Sequence, residues 1–206
     1  MKKFSFFSLL TIFIFSLIAC NTLFWINTET KRPSEPIQLK RTIIGPGYLT
    51  ANQLHGYFMS QNPDADSFQV KRLAQYYILE SSYEHINYSM AFAQMCLETG
   101  YLRFGNLVTP EMHNYCGLGA MDKDHPGEVF ESERLGVRAH IQHLQAYATT
   151  EDQKLHLDLV DPRYNWVHKT KFVETIDGLA GTWATDPNYG KKLEAILQKM
   201  EEFVNK

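Results

Sequence analysis

Glu98 is the residue whose setting points most directly to chemistry. It closes the run Met95-Cys96-Leu97-Glu98, so its sequence neighbours are apolar, and it falls in the last turn of a helix predicted from Tyr88. On such a helix positions 91, 95 and 98 share one face. The negative end of the helix dipole disfavours another negative charge, and apolar surroundings penalise ionisation through lost hydration. Both effects favour a carboxyl that keeps its proton near neutral pH, the state a general acid needs to protonate a departing glycosidic oxygen. A solvated helix-end glutamate is the alternative that position alone leaves open.

The other reactive side chains point less clearly. His140 and His143 lie one helical turn apart, but no third ligand follows at a spacing typical of zinc. They read as one surface and one partly packed histidine, and no metal is implied. Cys96 precedes Glu98 by two, so it points away from the acid's face. Neither a glycine-rich phosphate loop nor a serine-nucleophile motif is present. With a net charge of -3 over 206 residues, the chain lacks the basic stripe of a nucleic-acid binder.

The elements that must hold Glu98 are mostly helical. Thr50 can cap Asn52 to Ser60, Asp66 or Ser67 a helix to about Tyr83, and Asn87 the helix Tyr88 to Thr99, which Gly100 ends in the left-handed region. Tyr101 to Phe130 is rich in Gly, Pro, Asn and Asp and reads as a loop with at most a small hairpin. Glu133 to Ala148, Phe172 to Trp183 and Tyr189 to Val204 read as three further helices. The fold class is therefore mainly α, with one long irregular or β-hairpin insert over a cleft.

Ahead of this body, Lys2 and Lys3 precede an apolar run from Phe4 to Leu17, closed by Leu17-Ile18-Ala19-Cys20. A positive start, a short apolar stretch and a small-residue junction form the signal-peptide pattern. The ending resembles the lipobox of bacterial lipoproteins, which implies cleavage before Cys20 and acylation of that residue. An uncleaved anchor helix is the alternative. Residues 1–19 are thus expected to be a signal peptide, 20–45 a lipidated cysteine and tether, and 46–206 the domain. Asn21 after Cys20 favours the outer membrane over inner-membrane retention. Cys96 and Cys116 are open to either a disulfide or two buried thiols.

Four blocks in order carry a family resemblance. Ala93-Gln94-Met95-Cys96-Leu97-Glu98-Thr99-Gly100-Tyr101 resembles the catalytic helix of the glucosaminidase family of lysozyme-like peptidoglycan hydrolases, glycoside hydrolase family 73. Asn114-Tyr115-Cys116-Gly117-Leu118-Gly119-Ala120 is similar to its Asn-aromatic-x-Gly-aliphatic loop, and Leu135 to Leu144 to its next helix. Trp183-Ala184-Thr185-Asp186-Pro187-Asn188-Tyr189-Gly190 resembles its C-terminal Asp-Pro-x-Tyr motif.

The resemblance implies a monomeric, lysozyme-like endo-β-N-acetylglucosaminidase acting on glycan strands, with Glu98 as general acid and Tyr189 beside the cleft. Tyr101, Asn114, Tyr115 and Trp183 are its candidate substrate contacts; Trp183 suits a core position equally. For a second carboxylate, Asp122, Asp124, Glu128 and Glu131 lie in the insert, with Glu128 the first candidate. Each also suits a solvated loop charge. A substrate-assisted route, in which the sugar's N-acetyl group supplies the nucleophile, needs no such partner. A non-catalytic glycan-binding lipoprotein, a muramidase and a lytic transglycosylase of the same fold are the alternatives.

Overall fold

Four side chains start the helices as their chemistry dictates. Thr50 forms a reciprocal capping box with Gln53 ahead of α1 (Ala51–Gln61). Asp66 accepts the backbone N–H groups of Phe68 and Gln69 at the start of α2 (Ser67–Glu84). Asn87 caps α3 (Tyr88–Glu98), and Ser132 caps α4 (Glu133–Ala148). Two further helices follow, α5 (Tyr164–Thr170) and α6 (Tyr189–Val204). Single 3-10 turns occur at Pro110–Met112 and Ile176–Leu179. This computed structural model describes residues 35–150 and 152–206. The expected signal peptide, Cys20 and most of the expected tether lie outside the described residues.

The mainly α class holds, and on three points the structure decides what the sequence left open or changes what it predicted. The insert between α3 and α4 contains no β-strand among the described residues; only isolated bridges occur, all elsewhere. Its backbone polar groups are satisfied by side chains and tight turns instead. Asp122, for instance, accepts N–H bonds from Asp124 and His125 at 2.9 Å each. Second, residues 172–183 are not a helix. The helix there is α5, and the chain after it runs extended, with Val173 donating to the Tyr147 carbonyl and Ile176 to that of Arg41. Gly181, at φ +77°, then turns it. Third, the domain does not start at Pro46. Leu39 and Ile43 are buried in the core, and Arg41 pairs with Glu194 and Glu201 of α6 at 2.6 Å each. The last residues read as tether are part of the folded body.

The core has one centre. Helix α3 carries eight buried residues, from Ser89 to Cys96, and packs between α2, α4 and α6. A helix apolar on most of its circumference belongs in the middle of a bundle. Around it, α2 is bound to α4 by Glu80, whose fully buried carboxylate pairs with Arg134 at 2.5 Å and Arg138 at 2.8 Å. Those arginines are four residues apart and so share one helix face. The burial of α3 matters for function because Glu98 is its last residue. Its backbone is fixed on all sides.

Candidate active site

The chain directly after Glu98 is held in an unusual conformation. Gly100, Tyr101 and Leu102 take φ of +57°, +58° and +59°. For non-glycine residues this region costs about 1–2 kcal/mol each, so other contacts must hold it. Thr99 Oγ1 donates to the Met95 carbonyl at 2.8 Å and accepts from Leu102 N–H at 2.9 Å. Asn62 donates to the Tyr101 carbonyl at 2.8 Å, and the Tyr57 and Tyr101 hydroxyls pair at 2.8 Å. Tyr101 therefore serves as an anchor against Tyr57 and Phe58. Its ring is not in the cavity wall, which Phe104 reaches instead.

Glu98 opens into a cavity of about 380 Å³ whose walls include Phe104, Asn114, Gly117 and Trp183. The two carboxyl oxygens differ. Oε1 accepts from Trp183 Nε1 at 3.0 Å and from the Tyr189 hydroxyl. Oε2 points toward Gly117, where a Cβ on that residue would lie 3.7 Å away. Burial raises the Glu98 pKa above the ordinary carboxyl value, while the Tyr189 and Trp183 bonds pull it partly back. The proton accordingly belongs on Oε2, facing the cavity, because Oε1 is occupied by two donors. The same donors would stabilise a negative charge on this carboxyl.

Behind Tyr189 runs a chain of buried hydrogen bonds with a fixed direction. Tyr189 spends its proton on Glu98, so its oxygen accepts from Gln94 Nε2 at 2.9 Å. The Gln94 carbonyl oxygen can only accept, and His140 Nε2 is 3.1 Å from it. His140 Nδ1 then takes the Tyr77 hydroxyl proton at 2.8 Å. Burial, with His143 nearby, pushes the His140 pKa down to about 3, so the ring is neutral and each nitrogen has one role. The expectation of one surface histidine is thus corrected: His140 and His143 are both buried. His143 pairs with Asp161 at 2.8 Å. Gln94 was not singled out by sequence, and His140 was weighed only as half of a metal pair, although Gln94 lies four residues before Glu98 and so shares its side of α3.

The remaining candidates divide. Trp183 both lines the cavity and packs on His140, His143 and Tyr147, with ring centroids 4.9–5.7 Å apart. Asn114 is buried and organises the loop, donating to the carbonyls of Leu118 at 2.9 Å and Glu128 at 3.1 Å. Tyr115 does not face the cavity: it is 1% exposed and belongs to the core. Glu128 lies against Gly119, where a Cβ would meet its Oε1 at 3.1 Å, and is not in the cavity wall. Glu98 is the only carboxylate among the residues lining that cavity. Cys96 and Cys116 are separate buried thiols.

The sequence model of the glucosaminidase family, described as mannosyl-glycoprotein endo-beta-N-acetylglucosaminidase, matches residues 74–202. That span is more than half of the chain and contains Glu98, Trp183 and Tyr189. The chain belongs to the glucosaminidase family. The family implies a glycoside hydrolase with peptidoglycan as its substrate class. An uncharacterized protein of Borreliella burgdorferi is 38% identical over 205 residues, covering 99% of this chain and 97% of that protein. No solved structure matches the chain.

In this glucosaminidase the Tyr189 bond has a testable consequence. It favours the ionised form of Glu98, so its loss raises the Glu98 pKa further. Activity that needs the protonated acid is present below that pKa and falls as pH rises through it. Tyr189→Phe is therefore expected to move the alkaline limb of kcat/KM to higher pH. It should also lower kcat about tenfold to a hundredfold, the worth of one hydrogen bond to a charged group. A pH series of initial rates for both proteins checks this; an unmoved or acid-shifted limb would contradict it.

Proposed function

We propose that this glucosaminidase is an endo-β-N-acetylglucosaminidase of peptidoglycan in which Glu98 protonates the leaving sugar oxygen through Oε2. The observation that carries the reading is the asymmetry of that carboxyl: one oxygen held by Trp183 and Tyr189, the other toward Gly117 in the cavity wall. As the proton transfers, the glycosidic C–O bond breaks and positive charge develops on the cleaved sugar. Among the described residues no second carboxylate lines the cavity, which favours attack at the anomeric carbon by the sugar's own N-acetyl oxygen. Water then opens the cyclic intermediate, giving its proton to the Glu98 carboxylate and its oxygen to the sugar.

The proposed route gives product with retained anomeric configuration and a reducing N-acetylglucosamine end. Mass spectrometry of digested glycan, with NMR of the fresh product, tests both points. Anhydro-sugar ends would indicate a transglycosylase instead, and an N-acetylmuramic acid reducing end a muramidase. Inversion would require a carboxylate and water from outside this wall. We also propose that Cys20 is acylated and tethers the domain to the cell envelope on the periplasmic side, at the outer membrane. Metabolic labelling with a fatty acid, beside Cys20→Ser, tests the anchor.

A further inference from the structure

A second cavity, of about 200 Å³, adjoins the first and shares Cys116, Gly117, Ala120 and Trp183 with it. Its far side is built by Arg163, Trp166 and Lys171. Trp166 is 55% exposed, a large apolar ring left facing solvent. The Arg163 guanidinium lies 5.6 Å from the centre of that ring, and the Lys171 ammonium 5.9 Å from it. Neither cation has an ion-pair partner among the described residues.

No carboxylate lines this second cavity among the described residues. The nearby acid is Asp161, which is fully engaged: one oxygen accepts from His143 at 2.8 Å and the other from the Arg163 backbone N–H at 2.8 Å. Two cations placed on one exposed indole, in a cavity that shares four lining residues with the catalytic one, mark a place for an anion. With cations on the ring, Trp166 offers them a fixed platform rather than a bare stacking face for a neutral sugar.

We propose that this second cavity is a subsite for a carboxylate carried by the glycan strand, gripped by Arg163 and Lys171 beside Trp166. The proposal rests on the peptidoglycan reading of the catalytic cavity. In that polymer every second sugar bears a lactyl group, which ends in a free carboxylate or continues as a peptide with carboxylates of its own. A carboxylate held here fixes which sugar of the alternating pair sits next to the scissile bond.

The test uses Glu98→Gln protein as a form that binds without turnover, and the same protein with Arg163→Gln and Lys171→Gln added. Calorimetry compares three soluble ligands: a neutral N-acetylglucosamine oligomer, wall glycan stripped of peptide, and wall glycan with peptides attached. Removing both cations is expected to weaken binding of the anionic glycan roughly fivefold at low ionic strength. The difference should shrink in high salt, and the neutral oligomer should be held as before. Loss with stripped glycan assigns the lactyl carboxylate; loss confined to the peptide-bearing ligand assigns the peptide. Equal weakening of all three ligands, or of none, overturns the subsite. Failure of the parent protein to bind any glycan overturns the peptidoglycan reading itself, and the subsite with it.

Discussion

Replacing Glu98 by Gln is expected to lower turnover on wall glycan by roughly 10²–10⁴-fold, the range supplied by a positioned general acid. The substitution keeps the shape of the side chain. Its carbonyl oxygen can still accept from Trp183 Nε1 and the Tyr189 hydroxyl, but the group facing Gly117 becomes an amide, which cannot give up a proton at accessible pH. Binding of glycan should survive, because nothing in the cavity wall moves.

Stability should rise or stay level. The folded-state pKa of Glu98 is raised by burial, so the native protein binds its proton more tightly than the unfolded chain does. That contribution is full at low pH and is lost as pH rises through the raised pKa. Above it, the fold bears a buried charge that Gln does not have. Zymography on wall material together with thermal melts at pH 5 and pH 8 would check both halves. The Gln variant should clear no wall, and its advantage in melting temperature should be larger at pH 8. Equal clearing by the two proteins would remove Glu98 as the acid.

Gly136→Ala should destabilise the fold by about 3 kcal/mol or more, at or beyond the top of the usual range for overpacking. In an isolated helix the same change would help by about 1 kcal/mol, because alanine is the better helix former. Here the added Cβ would lie 1.8 Å from the His113 carbonyl oxygen and 2.9 Å from its carbon. The obstructing atoms are backbone, so no side-chain rotation relieves the clash. Helix α4 must move away, or the segment from His113 must.

That segment leads into Asn114 and Gly117, the loop that faces Glu98 Oε2. Lost activity is therefore expected to accompany lost stability, as the second cavity wall shifts. Gly100→Ala is the useful control. Gly100, unlike Gly136, is at positive φ (+57°) but has no atom within 4 Å of a would-be Cβ, so it should cost only about 1–2 kcal/mol of backbone strain. Urea unfolding of the three proteins reads the order directly. A Gly136→Ala midpoint above that of the native protein would contradict the packing.

Much of this was legible before any coordinates. Thr50, Asp66, Asn87 and Ser132 start their helices because a side-chain oxygen there satisfies N–H groups that no helix can satisfy internally. Glu98 could be picked out because its apolar neighbours and its helix-end position are local properties. The segment 172–183 was misread as helix because its backbone partners are the remote carbonyls of Arg41 and Tyr147. No local pattern encodes them. Tyr115 was a candidate sugar contact through the family resemblance of its loop, yet its ring turns into the core.

The sequence by itself determined that a carboxyl stands in the last turn of an apolar helix, since the apolar run Met95-Cys96-Leu97 and the helix dipole are local to Glu98. Only the tertiary structure decided how that acid is set. Trp183, Tyr189 and His140 come from 42 to 91 positions away in the chain. Their hydrogen bonds choose which carboxyl oxygen keeps the proton. A hydrogen bond requires its atoms within about 3 Å and aligned, a condition that chain spacing does not specify and that packing of α3 against α4 and α6 supplies.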